Sequence, residues 1–296
     1  MDRPRTIEAM QTARDCIATG EGIARGLSFP LQPSDIVIAP YAKCGTTWMQ
    51  QIVHGLRTGG SMEFDEITAA VPWLELAHDL GIDLDAPQAA TPRAFKSHAD
   101  WDDVPKGGRY IVVFRDPADA LVSLYRFFEG WLFEPGSIPL EDFALSEIAE
   151  GGWWRHAASW WRERDRTDIL FLTYEGMSTD LPGTVARVAD FIDPAISPEA
   201  RNIALEQASF AFMKRHEARF DDHLIRQRRD AACGLPPGGS ASKVSTGHAG
   251  KGLSLSETVR AALARRWDET MAHEFGHASY PELAAAVDAR NLPRSA

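Results

Sequence analysis

The sequence predicts a three-layer α/β fold, a mostly parallel β-sheet flanked by helices, and two observations predict it. Apolar runs of strand length stand at residues 36–39, 110–114 and 169–173, with stretches of helical spacing between them. The first run leads through a short polar loop straight into a helix, an order that gathers backbone donors where ligands of open α/β sheets sit. The chain has 296 residues, 44% of them hydrophobic, enough to bury a large core. With no internal repeat or composition break it reads as one domain, residues 1–296.

Ahead of the first strand, Ile7, Met10, Ala13 and Ile17 carry helical spacing, without an apolar stretch long enough for a signal peptide or a membrane span. A soluble, cytoplasmic protein with no membrane partner is expected. Cys16, Cys44 and Cys233 are odd in number and lack paired spacing, which argues against a disulfide framework and fits a reducing compartment. The formal net charge of −11 argues against nucleic-acid partners, which favour basic surfaces.

The first strand and its helix are IVIAPYAKCGTTWMQQIVHGL, residues 36–56. The loop brings the ammonium of Lys43, the flexible Gly45 and the hydroxyls of Thr46 and Thr47 to a helix N-terminus, where unpaired N–H groups and the helix dipole favour a phosphate. It is not a Walker A loop: Ala39 stands near the leading glycine position, Lys43 precedes Gly45, and Thr46 stands where the lysine belongs. That weakens a reading as a P-loop kinase of small molecules using Mg-ATP. YAKCGTTW instead resembles the 5′-phosphosulfate loop of the cytosolic sulfotransferase family, usually YPKSGTTW. The resemblance implies a P-loop nucleoside-phosphate-kinase-like fold. It implies the donor 3′-phosphoadenosine 5′-phosphosulfate (PAPS) and the product adenosine 3′,5′-bisphosphate (PAP), with no metal.

The blocks that follow keep the family's order. AFKSHAD, residues 94–100, is similar to the family's KTH motif, which makes His98 the candidate general base and Lys96 a cation for the oxygens of the moving group. RYIVVFRDPADALVSLYRFF, residues 109–128, resembles the 3′-phosphate segment: its strand delivers Arg115 to a carboxyl end, and the next helix presents Ser123. FLTYEGM and ASFAFMK imply that Tyr174 and Phe210 meet the adenine, with Trp48 on its other side. PWLE and WWRHAASWW are also familiar, and Trp153, Trp154, Trp160 and Trp161 read as core. The resemblance thus assigns Lys43, Lys96 and His98 to catalysis. It assigns Lys43, Cys44, Gly45, Thr46, Thr47, Trp48, Arg115, Ser123, Tyr174, Phe210 and Gly247 to the donor.

Trp73 and Phe127 match acceptor-pocket positions and imply a small hydroxylated acceptor, hydrophobic or aromatic, approaching His98; as residues alone they read equally as core. The chain also departs from the pattern. In KVSTGHAGKG, residues 243–252, Ser245 and Thr246 replace a basic pair that grips the 3′-phosphate; Gly247 keeps its place, and Lys243 or Lys251 would have to bring the charge. That loss leaves open a non-catalytic module that binds PAP. Cys44 reads either as an activated thiol beside Lys43 or as a small residue filling the turn. HEFGH, residues 273–277, has the form of a zinc-protease helix, which Gly276 and Pro281 argue against. Segments 78–93, 129–150 and 219–245 are candidate lids, GLPPGGSAS at 234–242 foremost. The family's C-terminal dimerisation signature is not found in LSLSETVRAALARRWDE, so monomer and homodimer both stand.

Overall fold

The structure is a computed structural model that describes residues 2–240, 243 and 251–291. Among the described residues four strands make the sheet: β1 (Ile36–Ile38), β2 (Ala94–Lys96), β3 (Arg109–Phe114) and β4 (Ile169–Thr173). Their order is β2-β1-β3-β4, every pair parallel, with Ile38 opposite both Lys96 and Ile111. The second strand, only three residues long, contributes no apolar run of its own and stands out in the sequence through the motif that follows it. At its start Arg93 pairs with the fully buried Asp35 at 2.5 Å, tying the entrances of β1 and β2 together.

Alternation along the strands sorts side chains onto two faces. Val37, Phe95, Val112, Phe114 and Phe171 enter one core cluster, where they meet Trp153, Trp154, Trp160 and Trp161. Ile36, Ile38, Ile111, Val113 and Leu172 enter another, against Met49, Ile52 and Val53. The helices before and between the first strands are α1 (Ile7–Cys16), α2 (Gly20–Leu27), α3 (Thr46–Thr58), α4 (Ile67–Ala70) and α5 (Leu74–Leu80). Between β3 and β4 lie α6 (Pro117–Trp131), α7 (Leu140–Glu150) and α8 (Gly152–Arg162). After β4 come α9 (Tyr174–Thr179), α10 (Leu181–Ile192), α11 (Pro198–Gln207), α12 (Phe210–Arg215) and α13 (His223–Arg229), and then α14 (Glu257–Trp267), α15 (His273–Phe275) and α16 (Tyr280–Arg290).

Two of the lid segments hold ordered helices. In 129–150, α7 buries Phe143, Ala144 and Ile148; in 219–245, α13 buries Ile225. Their charged residues cover the outward faces of amphipathic helices, which composition alone reads as loop. In the glycine-rich stretch, the Ser240 N–H donates to the Gly130 carbonyl at 2.9 Å, and a Cβ at Gly130 would stand 2.2 Å from the Ser240 carbonyl oxygen. The zinc-type motif does not form one helix: α15 spans His273–Phe275, Gly276 turns the chain at φ 74°, and His277 accepts a hydrogen bond from Trp161 Nε1 at 3.1 Å.

Candidate active site

The strand order reverses around β1, so the loops leaving β1, β2 and β3 diverge from one crevice at the carboxyl edge, where open α/β sheets bind ligands. A cavity of about 390 Å³ opens there. It is lined by Lys43, Gly45, Thr46, Thr47 and Trp48 after β1, Lys96 and His98 after β2, Arg115, Ser123 and Phe127 after β3, and Tyr174 after β4. Trp73 and Phe210 complete the set of sequence-predicted residues in it. Of that set, Cys44 is elsewhere and Gly247, with Ser245 and Thr246, lies outside the described residues.

The turn at one end depends on two left-handed residues, Lys43 at φ 64° and Gly45 at φ 94°. A lysine holds that conformation at a cost, offset here by Arg115, whose Nη1 donates to the Lys43 carbonyl at 2.8 Å. Gly45 is needed twice over, since a Cβ there would press on the Tyr174 ring at 3.1 Å. Gly45 supplies no side-chain cap to α3. Among the described residues the buried Thr46 Oγ1 and Arg115 Nε have no hydrogen-bond partner. An uncapped helix N-terminus, an orphaned hydroxyl and a guanidinium with an unpaired Nε together suit a phosphorylated ligand. Beside them Arg115 lies over the Tyr174 ring at 4.1 Å, Trp48 meets Tyr174 edge-on at 5.7 Å, and Phe210 leaves 46% of its surface exposed. An exposed aromatic face of that kind suits stacking of a purine.

Toward the other end, His98 is oriented from two sides. Its Nδ1 stands 2.6 Å from the Pro40 carbonyl, and its backbone N–H donates to Glu75 Oε1 at 2.7 Å. A carbonyl only accepts, so Nδ1 carries the proton and Nε2 keeps its lone pair. Burial, then the charge of Lys96, holds the imidazole well below its ordinary pKa of 6.5, so it is neutral at physiological pH. Glu75 also accepts from Ser97 Oγ at 2.9 Å, and burial raises its pKa. The ammonium of Lys96 rests on the Trp73 ring at 3.5 Å and that of Lys43 on the Phe127 ring at 4.1 Å. Burial first, and the charge of Lys243 next, bring both lysines down to about 7.

Cys44 is a correction. The thiol is fully buried in the tryptophan-rich core cluster, its Sγ 3.7 Å from the Ala42 carbonyl, and burial pushes its pKa up to about 12. Its N–H is also engaged, donating to the Tyr41 carbonyl at 3.2 Å. A thiol in apolar surroundings is inert, so the turn-filling reading stands. Other residues escaped the sequence reading. Glu75 lay in the familiar PWLE string without a role, Asp222 in an unremarkable acidic doublet, and Ile17 and Ala18, which follow α1, line the cavity from a segment with no motif. Lys243 does reach the cavity, but as the ion-pair partner of Asp222.

Comparisons with known proteins fix the class. Residues 33–235 match the sulfotransferase domain family. The chain is 33% identical over 202 residues to sulfotransferase 1B1 of Canis lupus familiaris, covering 63% of this chain and 68% of the relative. It is 31% identical over 203 residues to sulfotransferase 1E1 of Homo sapiens, with the same coverage, 63% and 68%. In fold it is similar to retinol dehydratase in complex with retinol and PAP, at TM-score 0.65 and 18% identity over 91% of this chain and 96% of that one. A mouse sulfotransferase complexed with PAP gives TM-score 0.66 and 16% identity over 92% and 95%. The chain belongs to the sulfotransferase family and is an enzyme of that class.

Proposed function

We propose that the protein moves a sulfuryl group from PAPS to a hydroxyl, or an amine, of a small hydrophobic or aromatic acceptor, by in-line transfer with His98 as general base. The observation that carries this reading is the single cavity in which an uncapped helix N-terminus, Arg115, Lys43, Lys96 and an Nδ1-protonated His98 all face one space. PAP in the solved relatives of the same fold supports the choice of nucleotide. The Lys43 ammonium and the backbone of Gly45 to Thr47 would hold the 5′-phosphate, Arg115 and Ser123 the 3′-phosphate, and Trp48, Tyr174 and Phe210 the adenine. When bound, the donor supplies a sulfuryl group whose S–O bond to the 5′-phosphate breaks as the acceptor oxygen bonds to sulfur.

His98 Nε2 takes the proton that the acceptor loses; the Pro40 carbonyl keeps the ring from turning, and Glu75 fixes the backbone that carries it. Lys43 and Lys96 stabilise the negative charge that builds on the leaving oxygen and on the sulfuryl oxygens, from positions that burial largely shields from solvent. Trp73, Leu76, Phe127, Phe128 and Trp131 give the rest of the cavity apolar walls, which favours an apolar acceptor body. Calorimetry against PAP and Mg-ATP, followed by an acceptor screen with labelled PAPS, tests the reading. Micromolar PAP binding with transfer to a phenol or alcohol is expected; preference for Mg-ATP with phosphorylation of the acceptor would overturn it.

A further inference from the structure

The geometry points to Lys243, held by Asp222, as a third lysine at the transfer end of the cavity, where it stabilises charge on the moving group together with Lys43 and Lys96. The inference rests on the sulfotransferase reading and deepens it. Lys243 Nζ donates to Asp222 Oδ1, and the two side chains are only 10% and 4% exposed. Both line the same cavity as Lys43, Lys96 and His98. Apart from burial, the charge of Lys243 is the strongest electrostatic influence on Lys43 and on Lys96, and it acts on His98 as well. Asp222 heads α13, which packs against α5, and α5 follows directly on Trp73, whose ring meets Lys96 and His98. The ion pair therefore belongs with the transfer residues, whereas replacement of the lost basic pair at the 3′-phosphate would require it beside Arg115 and Ser123.

Asp222 is a positioning residue. It heads α13 in a left-handed conformation, φ 58°, which aspartate tolerates better than most residues. Its turn is clamped from both sides: Arg226 Nη2 donates to Asp221 Oδ2 at 2.9 Å, and His223 bridges Asp221 at 2.8 Å and Asp65 at 2.9 Å. Burial pushes the Asp222 carboxyl up, but Lys243 and Lys96 outweigh it and hold the group ionised. A fixed carboxylate is what keeps a flexible lysine inside a dry cavity before the anionic donor arrives.

The test compares the full chain with K243M, K243R, D222N and the K243M/D222N double variant, reading PAP affinity, kcat with PAPS and the best acceptor from the screen, and the pH profile of kcat. We expect K243M to lower kcat about 100-fold and D222N about tenfold, with PAP affinity at about pH 6 within threefold, K243R largely active, and the double variant no worse than K243M. The alkaline limb, set by Lys43 and Lys96, should move up in pH in K243M, which loses a repelling charge, and down in D222N, which loses an attracting one. Glu66 near Lys96, raised to about 7 and acted on by both Asp222 and Lys243, responds to the same substitutions and offsets part of the shift at Lys96, so the shift is read chiefly from Lys43. Glu75 near Lys96 and Arg115 near Lys43 are retained in both variants. A purely structural role for the pair would shift neither limb. K243M keeping kcat within threefold would overturn the assignment, as would a tenfold loss of PAP affinity with kcat retained, which marks a 3′-phosphate ligand. A wild-type chain that binds no PAP would instead bring down the parent reading and the assignment with it.

Discussion

The two ends of the cavity are made of different material. At the end proposed for the donor the groups that face the cavity are backbone donors of one short turn, a threonine hydroxyl and one guanidinium, most of them within a few residues of Gly45. At the end proposed for transfer and for the acceptor they are side chains from β2, α5, α6, the segment after α1 and the turn before α13, regions that share no stretch of sequence. The donor end works by geometry, through positive φ angles and an open helix N-terminus. The acceptor end works by desolvation, which brings two lysines to about 7 and His98 well below its ordinary range. Local order therefore suffices for an anion cradle, while tuned proton affinities need a surrounding tertiary shell.

The difference can be broken at either end. The largest effect is expected for His98→Ala, with kcat down about 1,000-fold and PAP affinity within threefold by calorimetry; retained turnover would remove His98 from the chemistry. Arg115→Ala should act on the other end, weakening PAP roughly 100-fold, because it loses both a charged hydrogen bond to phosphate and the donor that holds the Lys43 turn. AMP, which has no 3′-phosphate, should lose clearly less, and an equal loss would limit Arg115 to holding the turn.

The protonation of the lysines sharpens the comparison. An anion bound beside Lys43 and Lys96 stabilises their charged forms and raises their pKa above about 7, so binding takes up protons. PAP affinity should be flat below about pH 7 and fall as pH rises above it, by up to tenfold per unit for each lysine. Calorimetry at pH 8 in buffers of different ionisation enthalpy would count those protons, and zero uptake would contradict the shifted lysines. Ile17→Gln, in the acceptor wall, should raise acceptor KM several-fold and leave PAP affinity unchanged. The smallest effect concerns Cys44: iodoacetamide on the native protein should leave it unlabelled with or without PAP, since its sulfur is closed in the core.

Much of this was legible in the chain. The strands at 36–39, 110–114 and 169–173 appear as apolar runs because a parallel sheet covered on both faces excludes polar residues. Lys43, Lys96, His98 and Arg115 stand out in the sequence because each sits at or just past a strand end, where a motif and a sheet edge coincide, and the fold brings all four to one cavity. Glu75 and Asp222 carried no such signal. The value of Glu75 lies in the distance to the His98 N–H, across 23 residues of sequence, and Asp222 looks like any exposed aspartate until α13 is packed. Between the two readings of the Cys44 thiol the sequence leaves the choice open for a related reason, since adjacency to Lys43 says nothing about which way a side chain turns.

By itself the sequence determined the α/β layering, the strand–turn–helix that cradles an anion and the kind of residue at each strand end, because these depend on periodicity and on contacts between near neighbours. Only the tertiary structure decided which tautomer His98 adopts, how far Lys43 and Lys96 are discharged, and that Asp222 meets Lys243 beside them. Those properties follow from desolvation and from charges brought together by folding, and neither is a property of any one segment.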